Sequence, residues 1–484
     1  MNYKMIGRLL SMILFTEAVF MIPAIAIGLG YREMPAVYAF LISFGILLAV
    51  CAGLFFLSRN AQKFFRAKEG LVCVGSSWIL MSLLGCLPFF LSGEIPFYID
   101  ALFEMVSGFT TTGASILSNV EGLSKSLLYW RSFSHWVGGM GVLVFLLAVV
   151  PLSGKNQGFT MHLLRAESPG PDVGKLMPKM KQTAMTLYIT YIALTALTFL
   201  FLLAGKMPVF DALCTAFGTA GTGGFGIKND SMAGYSPYLQ NVTTVFMFLF
   251  GVNFSCYYLL LLRQARAVLR DEELRLYFGV VIVSILLITV NIAELYPTVW
   301  DALRHAAFQV SSIITTTGFA TADFDLWPTF SKSILLILML IGACAGSTGG
   351  GIKCSRVMLL FKDLRRNIRQ IMRPRQVQVI RVNNHVVDEQ ILANTNAYLS
   401  AYVVILAVSF LLLSLDDCSV TTTFSAVMAC FNNVGPGLEA VGPTCNFSGF
   451  STFSKWILIL DMLAGRLEIF PILLLFSPKT WKRS

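Results

Sequence analysis

The sequence predicts an all-α integral membrane protein that crosses the bilayer with ten transmembrane helices. Of its 484 residues, 56% are hydrophobic and only 13% are charged, about half the charged share of an average soluble protein. Apolar runs of roughly 20 residues, the length that crosses a bilayer, recur from one end of the chain to the other. Four of the shorter segments between these runs end in similar Thr/Gly-rich tracts, so the chain is also predicted to contain four repeats.

The ten predicted spans comprise two N-terminal spans and four pairs. The N-terminal spans lie near 9–28 and 36–58. The pairs lie near 69–93 and 128–152, 183–205 and 242–263, 275–295 and 331–362, and 395–415 and 455–476. Within each pair, a segment of about 12 residues is too short to span the bilayer and is predicted to re-enter it. The resulting units are the N-terminal spans at 1–58, repeats 1 to 4 at 69–152, 183–263, 275–362 and 395–476, and a basic tail at 477–484.

Charged residues are distributed unevenly between the two ends of the predicted spans. Basic residues gather in alternate loops, and the loops between those are acidic or neutral. The basic loops include Arg59, Lys63, Lys175, Lys179, Arg263, Arg270, Arg365, Arg366, Lys479 and Lys482. An excess of Lys and Arg marks the cytoplasmic side, so both termini are predicted to be cytoplasmic and the re-entrant segments to enter from outside. Because the net charge of +10 is spread over separate loops, it provides no contiguous basic face for nucleic acid.

The four Thr/Gly-rich tracts stand at matching places in their repeats. They read Thr110-Thr111-Thr112-Gly113, Gly221-Thr222-Gly223-Gly224, Thr315-Thr316-Thr317-Gly318 and Asn432-Asn433-Val434-Gly435. We interpret Gly113, Gly223, Gly318 and Gly435 as the equivalent glycines. Aspartates open the first three segments, at positions 100, 211 and 301, where the free amide groups of a helix start attract a carboxylate. The unit of span, short helix, tract and span is therefore predicted to occur four times with one orientation.

Four such tracts predict a shared cavity that binds monovalent cations. Irregular backbone is tolerated inside a membrane only where it is buried in protein or lines a watery cavity. A ring of backbone carbonyls can replace the hydration shell of a cation, and glycine supplies the positive φ that turns successive carbonyls inward. One Thr-Thr-Gly alone would equally suit helix packing, but four copies at matching places favour an ion site. The predicted cation ligands are Thr111, Thr112, Gly113, Gly221, Thr222, Gly223, Thr316, Thr317, Gly318, Asn433, Val434 and Gly435.

The tracts resemble the selectivity filters of the superfamily of Trk, Ktr and plant high-affinity potassium transporters. Five longer stretches are similar to the TrkH branch of this superfamily, and the similarity covers nearly the whole chain, including the two N-terminal spans. These stretches are WVGGMG at 136–141, RAESPGP at 165–171, CAGSTGGG at 344–351, NNVGPGL at 432–438 and GRLE at 465–468.

The resemblance implies uptake of K⁺, the transported ion, through a channel-like pore in the inner membrane of a bacterium. It further implies a homodimer in which each subunit has its own pore, docked on a cytoplasmic nucleotide-binding ring of the TrkA type. Glycine at all four equivalent positions is similar to the potassium-selective pattern, whereas serine in the first repeat is the superfamily's usual sign of sodium preference. The basic loop at 362–381 is either the docking site of the ring or a solvated surface near lipid headgroups.

The second span of repeat 3 is interrupted by a run of small residues at 345–351. Each glycine costs a helix about 1 kcal/mol relative to alanine, so a hinge or an unwound loop is expected within the membrane. Close helix packing on small residues is the alternative. In the superfamily this interrupted helix lies below the filter and acts as a gate. The resemblance assigns that role to Gly346, Ser347, Thr348, Gly349, Gly350 and Gly351.

Arg466 in the last predicted span is the second candidate for the gate. A charge near the middle of a bilayer costs at least about 2.5–3.5 kcal/mol and usually faces a cavity or a partner. Arg466 is five residues from Asp461 and two from Glu468, and neither spacing suits an ion pair on one helix. We expect Arg466 to face the pore, as the resemblance also implies, with a structural ion pair as the alternative.

Two other functional classes fit the sequence less well. A membrane enzyme would need clustered His, Asp or Glu near one interface, and the sequence contains no such cluster, so the chain is not expected to be an enzyme. A sodium- or proton-coupled potassium symporter is the alternative to a channel-like pore. Secondary transporters usually contain inverted repeats, whereas the four repeats here share one orientation.

The charge asymmetry makes a testable prediction about topology. In a variant cleared of its native cysteines, single cysteines at Asp230 and Asp323 should react with an impermeant thiol reagent added outside the cell. Single cysteines at Arg270 and Arg366 should react only after the membrane is opened, because basic loops are retained in the cytoplasm. Labelling from outside at position 366 but not at position 230 would contradict this orientation and the direction of the re-entrant segments.

Overall fold

The computed structural model of the chain describes residues 1–59, 67–141, 180–376 and 378–481. Several sequence-based predictions lie outside the described residues. These are the second part of the span predicted at 128–152, the stretch at 165–171, and the tail residues 482–484. Within the described ranges the regular secondary structure is helical, as predicted, apart from one two-stranded hairpin.

The two N-terminal helices form an antiparallel pair that is fastened to repeat 1. Helix α1 (Tyr3–Tyr31) and helix α2 (Met34–Leu57) pack along each other. Arg32 closes α1 in the left-handed conformation, with φ of 60°. In the following turn, the carboxylate of Glu33 accepts hydrogen bonds from the backbone amides of Lys125 and Ser126, at 2.6 and 3.0 Å. Those two amides belong to the first turn of a repeat 1 helix, where unpaired N–H groups favour a carboxylate.

We keep the names repeat 1 to repeat 4 for the four segments predicted as repeats, and the helices of the first two segments follow in order. Repeat 1 contains α3 (Ala67–Gly85), α4 (Leu87–Leu91), α5 (Tyr98–Phe109) and α6 (Lys125–Met140). Repeat 2 contains α7 (Met180–Ala204), α8 (Val209–Ala220), α9 (Pro237–Phe250) and α10 (Phe254–Leu261). A short helix α11 (Ala265–Arg270) leads to repeat 3.

Repeats 3 and 4 have the same succession of elements. Repeat 3 contains α12 (Glu272–Ile292), α13 (Val299–Ile314), α14 (Thr329–Ile341) and α15 (Cys354–Met372). The antiparallel strands β1 (Arg381–Val382) and β2 (His385–Val386) form the hairpin that precedes repeat 4. Repeat 4 contains α16 (Glu389–Leu413), α17 (Val420–Phe431), α18 (Thr452–Arg466) and α19 (Phe470–Phe476), followed by α20 (Pro478–Trp481). Single 3₁₀ turns lie at Ala293–Leu295, Phe324–Leu326, Ser414–Asp416 and Glu439–Val441.

Fewer than ten continuous spans are present in the described part of the chain. Six helices are long and apolar enough to cross a bilayer, and the bent pair α9 and α10 would make a seventh. The sequence predicted one continuous span at 242–263, but α9 and α10 meet at an angle of 89°. The break follows from local chemistry, because Gly251 is a poor helix former and the side chain of Asn253 caps α10 by accepting from the Ser255 amide at 2.9 Å, as N-cap residues do.

The second spans of repeats 3 and 4 are broken as well. In repeat 3 the break between α14 and α15 covers 342–353, which agrees with the interruption predicted from the small residues at 345–351. In repeat 4 the predicted span 455–476 is divided between α18 and α19. Glu468 and Ile469 both have positive φ there, at 58° and 67°, and Pro471 in the first turn of α19 has no amide to continue the preceding helix.

Four short helices, α5, α8, α13 and α17, correspond to the predicted re-entrant segments; we call them the pore helices after that prediction. They are largely enclosed; in α5, for example, every residue from Ala101 to Phe109 is buried. The long helices around them expose apolar side chains instead, such as Ile282 and Val290 of α12. An apolar outer face is the arrangement expected of a protein whose exterior solvent is lipid.

A buried ion pair connects pore helix α5 to α6 and to two segments that follow the tracts. Arg131 Nε lies 2.5 Å from Glu104 Oε1, and both side chains are buried. Glu104 also accepts from the hydroxyl of Ser115 and the amide of Ile116, each at 3.0 Å. Arg131 Nη1 donates to the carbonyl of Gly226 at 2.8 Å. With these hydrogen bonds the pair holds the chain just beyond the first and the second tract.

Repeats 1 and 4 meet along a contact that we call the seam, where no covalent connection joins neighbouring repeats. Lys455 Nζ lies 2.6 Å from Asp100 Oδ1. The Phe447 amide donates to the Ser115 carbonyl at 2.8 Å. Asn433 Nδ2 donates to Thr112 Oγ1 at 2.9 Å. Residues more than 300 positions apart in the chain are thus in direct contact.

The buried ion pair gives a prediction about stability. Arg131→Met should lower the free energy of unfolding by about 3–5 kcal/mol, because it leaves the Glu104 carboxylate buried without its cation. Arg304→Met is the matched control, since Arg304 pairs with Asp301 at 2.8 Å but both side chains are partly exposed. Thermal unfolding of the two detergent-purified variants measures the difference. Equal stability of the two variants would show that the Glu104–Arg131 pair does not stabilise the fold.

Candidate functional site

All four pore helices end in the same hydrogen-bonded turn. The residue after the C-cap is left-handed in each case, with φ of 55° at Thr111, 52° at Thr222, 57° at Thr316 and 56° at Asn433. The next amide then bonds back to the carbonyl five residues earlier. These bonds are Thr112 to Ser107 at 2.9 Å, Gly223 to Gly218 at 2.9 Å, Thr317 to Ser312 at 2.8 Å and Val434 to Ala429 at 2.8 Å. This is the Schellman motif, in which the left-handed residue is usually glycine.

The residue types at the left-handed position indicate that intrinsic backbone preference does not determine this geometry. Three of them are threonines, and a β-branched residue at positive φ is an outlier. Such residues cost on the order of 1–3 kcal/mol each and persist only where the surrounding structure imposes them, most often at functional sites. The same unfavourable conformation at three equivalent threonines therefore marks the ends of the pore helices as the candidate site.

The structure corrects the register of the tract in repeat 2. Two residues beyond the left-handed position, a glycine with positive φ follows in every repeat: Gly113 at 81°, Gly224 at 75°, Gly318 at 85° and Gly435 at 95°. The sequence-based assignment of Gly223 as the equivalent glycine was wrong by one residue. Gly221, predicted as a ligand, is the right-handed C-cap of α8, with φ of −71°. The three residues of repeat 2 in the tract are thus Thr222, Gly223 and Gly224.

The error in register arose because the tract Gly221-Thr222-Gly223-Gly224 offers a glycine at three of its four positions. The tract itself therefore permits either alignment. The Gly224-Phe225 pair matches Gly318-Phe319 of repeat 3 and would have resolved it. The aspartates that open the helices would not, since Asp100 precedes Gly113 by 13 residues but Asp301 precedes Gly318 by 17. All three aspartates lie in the first turns of their helices, as predicted.

The four tracts approach one another as a closed ring. At each of the four glycines, an added Cβ would collide with a carbonyl oxygen of the next repeat. The distance from the added Cβ to the carbonyl oxygen would be 2.1 Å for Gly113 and Gly223, 1.8 Å for Gly224 and Thr317, 2.3 Å for Gly318 and Val434, and 2.7 Å for Gly435 and Thr112. The contacts run from repeat 1 to 2, 2 to 3, 3 to 4 and 4 back to 1. The four carbonyls involved belong to equivalent residues.

The ring is built from backbone dipoles rather than from charged side chains. Each pore helix directs its C-terminal end, which carries partial negative charge, into the tract that follows it. The hydroxyls of Thr110 and Thr112 lie 2.8 Å apart, as do those of Thr315 and Thr317. Within the described ranges, no group of three or more His, Cys, Asp or Glu side chains could hold a metal ion. Such a ring suits a monovalent cation that exchanges its hydration shell for carbonyl oxygens.

His135 is a residue of the site that sequence reasoning missed. Its side chain is fully buried, and its ring stacks on Phe225 with centroids 4.1 Å apart. A Cβ at Gly223 would lie 2.3 Å from the His135 ring, so Gly223 admits the imidazole behind the tract. His135 follows Arg131 by four residues, a spacing that predicts a common helix face. In the structure both side chains contact Phe225, and the Arg131 guanidinium lies 3.5 Å from the centre of its ring.

The interrupted part of repeat 3, residues 342–353, forms a loop directly beside the ring; we call it the repeat 3 loop. A Cβ at Gly350 would lie 2.5 Å from the Asn432 carbonyl oxygen, and one at Gly349 would lie 2.9 Å from that of Thr315. The loop also packs on the break in repeat 2, because the Phe254 amide donates to the Gly346 carbonyl at 3.0 Å. The two breaks are therefore neighbours in space.

Arg466 joins the repeat 3 loop to the end of α6. Its guanidinium donates to the carbonyl of Thr348 at 2.8 Å and to those of Gly138 and Gly139 at 2.5 and 3.1 Å. The two acidic neighbours considered in the sequence have other partners. Asp461 accepts from the Ser409 hydroxyl at 2.7 Å, and Glu468 forms an ion pair with Arg356. A cation thus lies beside the loop, on the α6 side of the ring.

Comparison with known proteins places the chain among transporters. A family model described as "TrkH: Cation transport protein" matches residues 37–483. The Trk system potassium uptake protein TrkH of Salmonella typhimurium is 35% identical over the full length of both chains. The Trk system potassium uptake protein TrkG of Escherichia coli is 32% identical, with 99% of each chain covered. The crystal structure of the potassium transporter TrkH from Vibrio parahaemolyticus has a TM-score of 0.89 and 31% identity, with both chains covered completely.

These relatives are named for transport, which confirms the expectation of a transporter rather than an enzyme. The resemblance inferred from the tracts and the longer stretches is confirmed by the family model over residues 37–483 and by a relative aligned over the whole chain. The protein therefore belongs to the TrkH family.

Proposed function

We propose that the protein takes up K⁺ across the cytoplasmic membrane through a pore whose selectivity filter is the ring of four tracts. The observation that carries this proposal is the closed succession of carbonyl contacts from repeat 1 through repeat 4. Carbonyl oxygens can replace the water around a monovalent cation, and the names of the relatives identify potassium as the ion that those proteins take up.

The proposed filter uses three residues from each repeat. They are Thr111, Thr112 and Gly113; Thr222, Gly223 and Gly224; Thr316, Thr317 and Gly318; and Asn433, Val434 and Gly435. In each set, the left-handed residue and the glycine have positive φ and the residue between them supplies the carbonyl of the ring. The negative ends of four pore helices meet at the ring and favour a cation over an anion.

The repeat 3 loop is the proposed gate, formed by Gly346, Ser347, Thr348, Gly349, Gly350 and Gly351. Its close approach to the carbonyls of Thr315 and Asn432 supports this role, because a loop at that position would obstruct an ion leaving the ring. Arg466 supports this role in two ways, because it binds the Thr348 carbonyl and brings a positive charge to the same place. A channel-like pore of this kind accounts for four repeats of one orientation better than the rocking halves of a symporter do.

The assembly that we propose follows the resemblance to the TrkH family. It comprises a homodimer in the lipid bilayer of a bacterial inner membrane, with both termini in the cytoplasm. A nucleotide-binding ring of the TrkA type would dock on the cytoplasmic side. The basic segment α15 supports this side as the docking face, since Arg365 and Arg369 are exposed there.

The proposed filter predicts a loss of ion preference on substitution of its glycines. Gly113→Ser and Gly224→Ser should each reduce the preference for K⁺ over Na⁺, because a side chain at positive φ would collide with the next carbonyl of the ring. Gly279→Ser on the outer face of α12 is the control, since an added Cβ there meets no atom within 4 Å. Flux into liposomes, with K⁺ and Na⁺ gradients set separately, measures the preference. If Gly113→Ser and Gly224→Ser retain the selectivity of the Gly279 control, the ring is not the filter.

The proposed gate predicts that Arg466→Ala increases K⁺ flux and leaves ion preference unchanged. Two unit charges 4 Å apart repel by about 4 kcal/mol at an effective dielectric constant near 20, but the pathway is hydrated. We therefore expect roughly a few-fold to a hundred-fold gain. Arg466→Lys keeps the charge and should give a smaller gain than alanine. The alternative, a purely structural arginine, predicts low yield, low thermal stability and no flux for Arg466→Ala.

A further inference from the structure

One buried carboxylate binds the chain near both ends of the repeat 3 loop. Glu273 lies in the first turn of α12, and its side chain is almost fully buried. Its Oε1 atom accepts from the Ala345 amide at 2.6 Å and from the Ser355 amide at 3.1 Å. The two amides are ten residues apart in the chain. Because one oxygen accepts from both amides, moving either amide away from α12 would remove a hydrogen bond from a buried carboxylate, which is unfavourable.

The middle of the same loop is bonded to the ring. The Gly350 amide donates to the side-chain hydroxyl of Thr316 at 2.6 Å, and Thr316 is completely buried. Thr316 is the left-handed residue at the end of pore helix α13. The residue that presents its hydroxyl to the loop is therefore one of the twelve residues proposed for the filter.

The equivalent residues of the other repeats have different partners. The Thr111 hydroxyl has no hydrogen-bond partner among the residues that the structure describes. The Thr222 hydroxyl donates to the Gly221 carbonyl at 2.7 Å. The Asn433 amide group donates to Thr112 and to the Met462 carbonyl, each at 2.9 Å. Since the four residues share one backbone conformation, a contact with the loop is not a requirement of the ring itself. It is a separate feature of repeat 3.

We propose that Thr316 is a positioning residue that couples the repeat 3 loop to the filter, and that Glu273 confines loop movement to the residues between its two anchored amides. The loop leaves the ring only when the hydrogen bond from the Gly350 amide to the Thr316 hydroxyl breaks. The same step frees the Thr316 side chain in the repeat 3 tract. This inference rests on the proposed roles of the ring as filter and of the loop as gate.

Coupling between two sites is reciprocal, so the ion in the ring and the position of the loop must influence each other. A K⁺ ion that binds the carbonyls of the tracts holds Thr316 in its left-handed conformation and thereby keeps its hydroxyl in place for the Gly350 amide. An occupied ring stabilises the closed loop, and an empty ring loosens it. Backbone hydrogen exchange at 346–352 reports this directly and does not depend on measuring transport.

The first experiment compares Thr316→Val with Thr111→Val in the full-length protein reconstituted in lipid. Valine keeps the branched shape of threonine and replaces its hydroxyl with a methyl group, which cannot accept a hydrogen bond. Loss of one hydrogen bond should raise exchange of the Gly350 amide by about two- to tenfold in Thr316→Val. Thr111→Val should leave exchange at 346–352 at the level of the parent protein. Unchanged exchange in Thr316→Val, or an equal increase in both variants, would refute the coupling.

The second experiment tests the anchor with Glu273→Ala and Glu273→Gln. Alanine removes the accepting oxygen and should increase both exchange at 346–352 and K⁺ flux. Glutamine keeps an oxygen that can accept from the same two amides, so it should restore the parent values. If glutamine behaves like alanine, or if both variants exchange at the parent rate, Glu273 does not position the loop. The Thr316→Val comparison remains decisive if Glu273→Ala fails to fold.

The outcomes separate this inference from the proposed function. If Gly113→Ser and Gly224→Ser keep the parent preference for K⁺ over Na⁺, the filter assignment fails whatever the loop does. If those variants lose their preference while loop exchange in Thr316→Val stays at the parent rate, only the coupling fails. Loop exchange that slows when K⁺ replaces a large organic cation supports the coupling, and exchange that is the same in both ions contradicts it.

Discussion

The rest of the structure depends on the close approach of backbone to backbone at the ring. Each of four glycines lies so near a carbonyl of the next repeat that no Cβ would fit. Four helix ends with partial negative charge repel one another when they converge in a medium of low dielectric constant. Three threonines must also adopt a conformation that they avoid elsewhere. Surrounding contacts must therefore hold the ring together, and much of the fold consists of such contacts.

The supporting contacts use buried polar groups where a soluble protein would use water. Glu104 and Arg131 hold the segments after the first two tracts, and His135 fills the space behind the second. A buried ion pair costs desolvation and is weak support on its own. Here the pair fixes positions, because each charged group also bonds to a backbone amide or carbonyl two or three residues beyond the filter. The same principle applies to Glu273, whose carboxylate bonds to backbone amides near both ends of the repeat 3 loop.

The sequence predicted the number of tracts, the broken span of repeat 3 and the aspartates at the helix starts, because each depends on local chemistry. It did not predict the bend at 251–253, since one glycine within an apolar run is common in membrane helices. It placed the repeat 2 tract one residue out of register, because three glycines made the local pattern ambiguous. The partners of Arg466 and Glu273 could not be predicted either. Arg466 binds backbone carbonyls of repeats 1 and 3, and Glu273 binds amides 72 and 82 residues away within its own repeat. A backbone group has no signature in the sequence.

The seam between repeats 1 and 4 has a consequence for how the chain is made. Repeats emerge from the ribosome in order, and the N-terminal parts of a chain fold first. After three repeats have been inserted, the ring is a three-quarter arc whose Thr112 has no partner from repeat 4. Closure waits for Asn433 and Lys455, which contact residues 321 and 355 positions earlier. Such long-range contacts form slowly. A truncated or stalled chain would therefore carry an open arc of polar backbone within the membrane, a feature by which quality-control proteases could distinguish it from the finished protein.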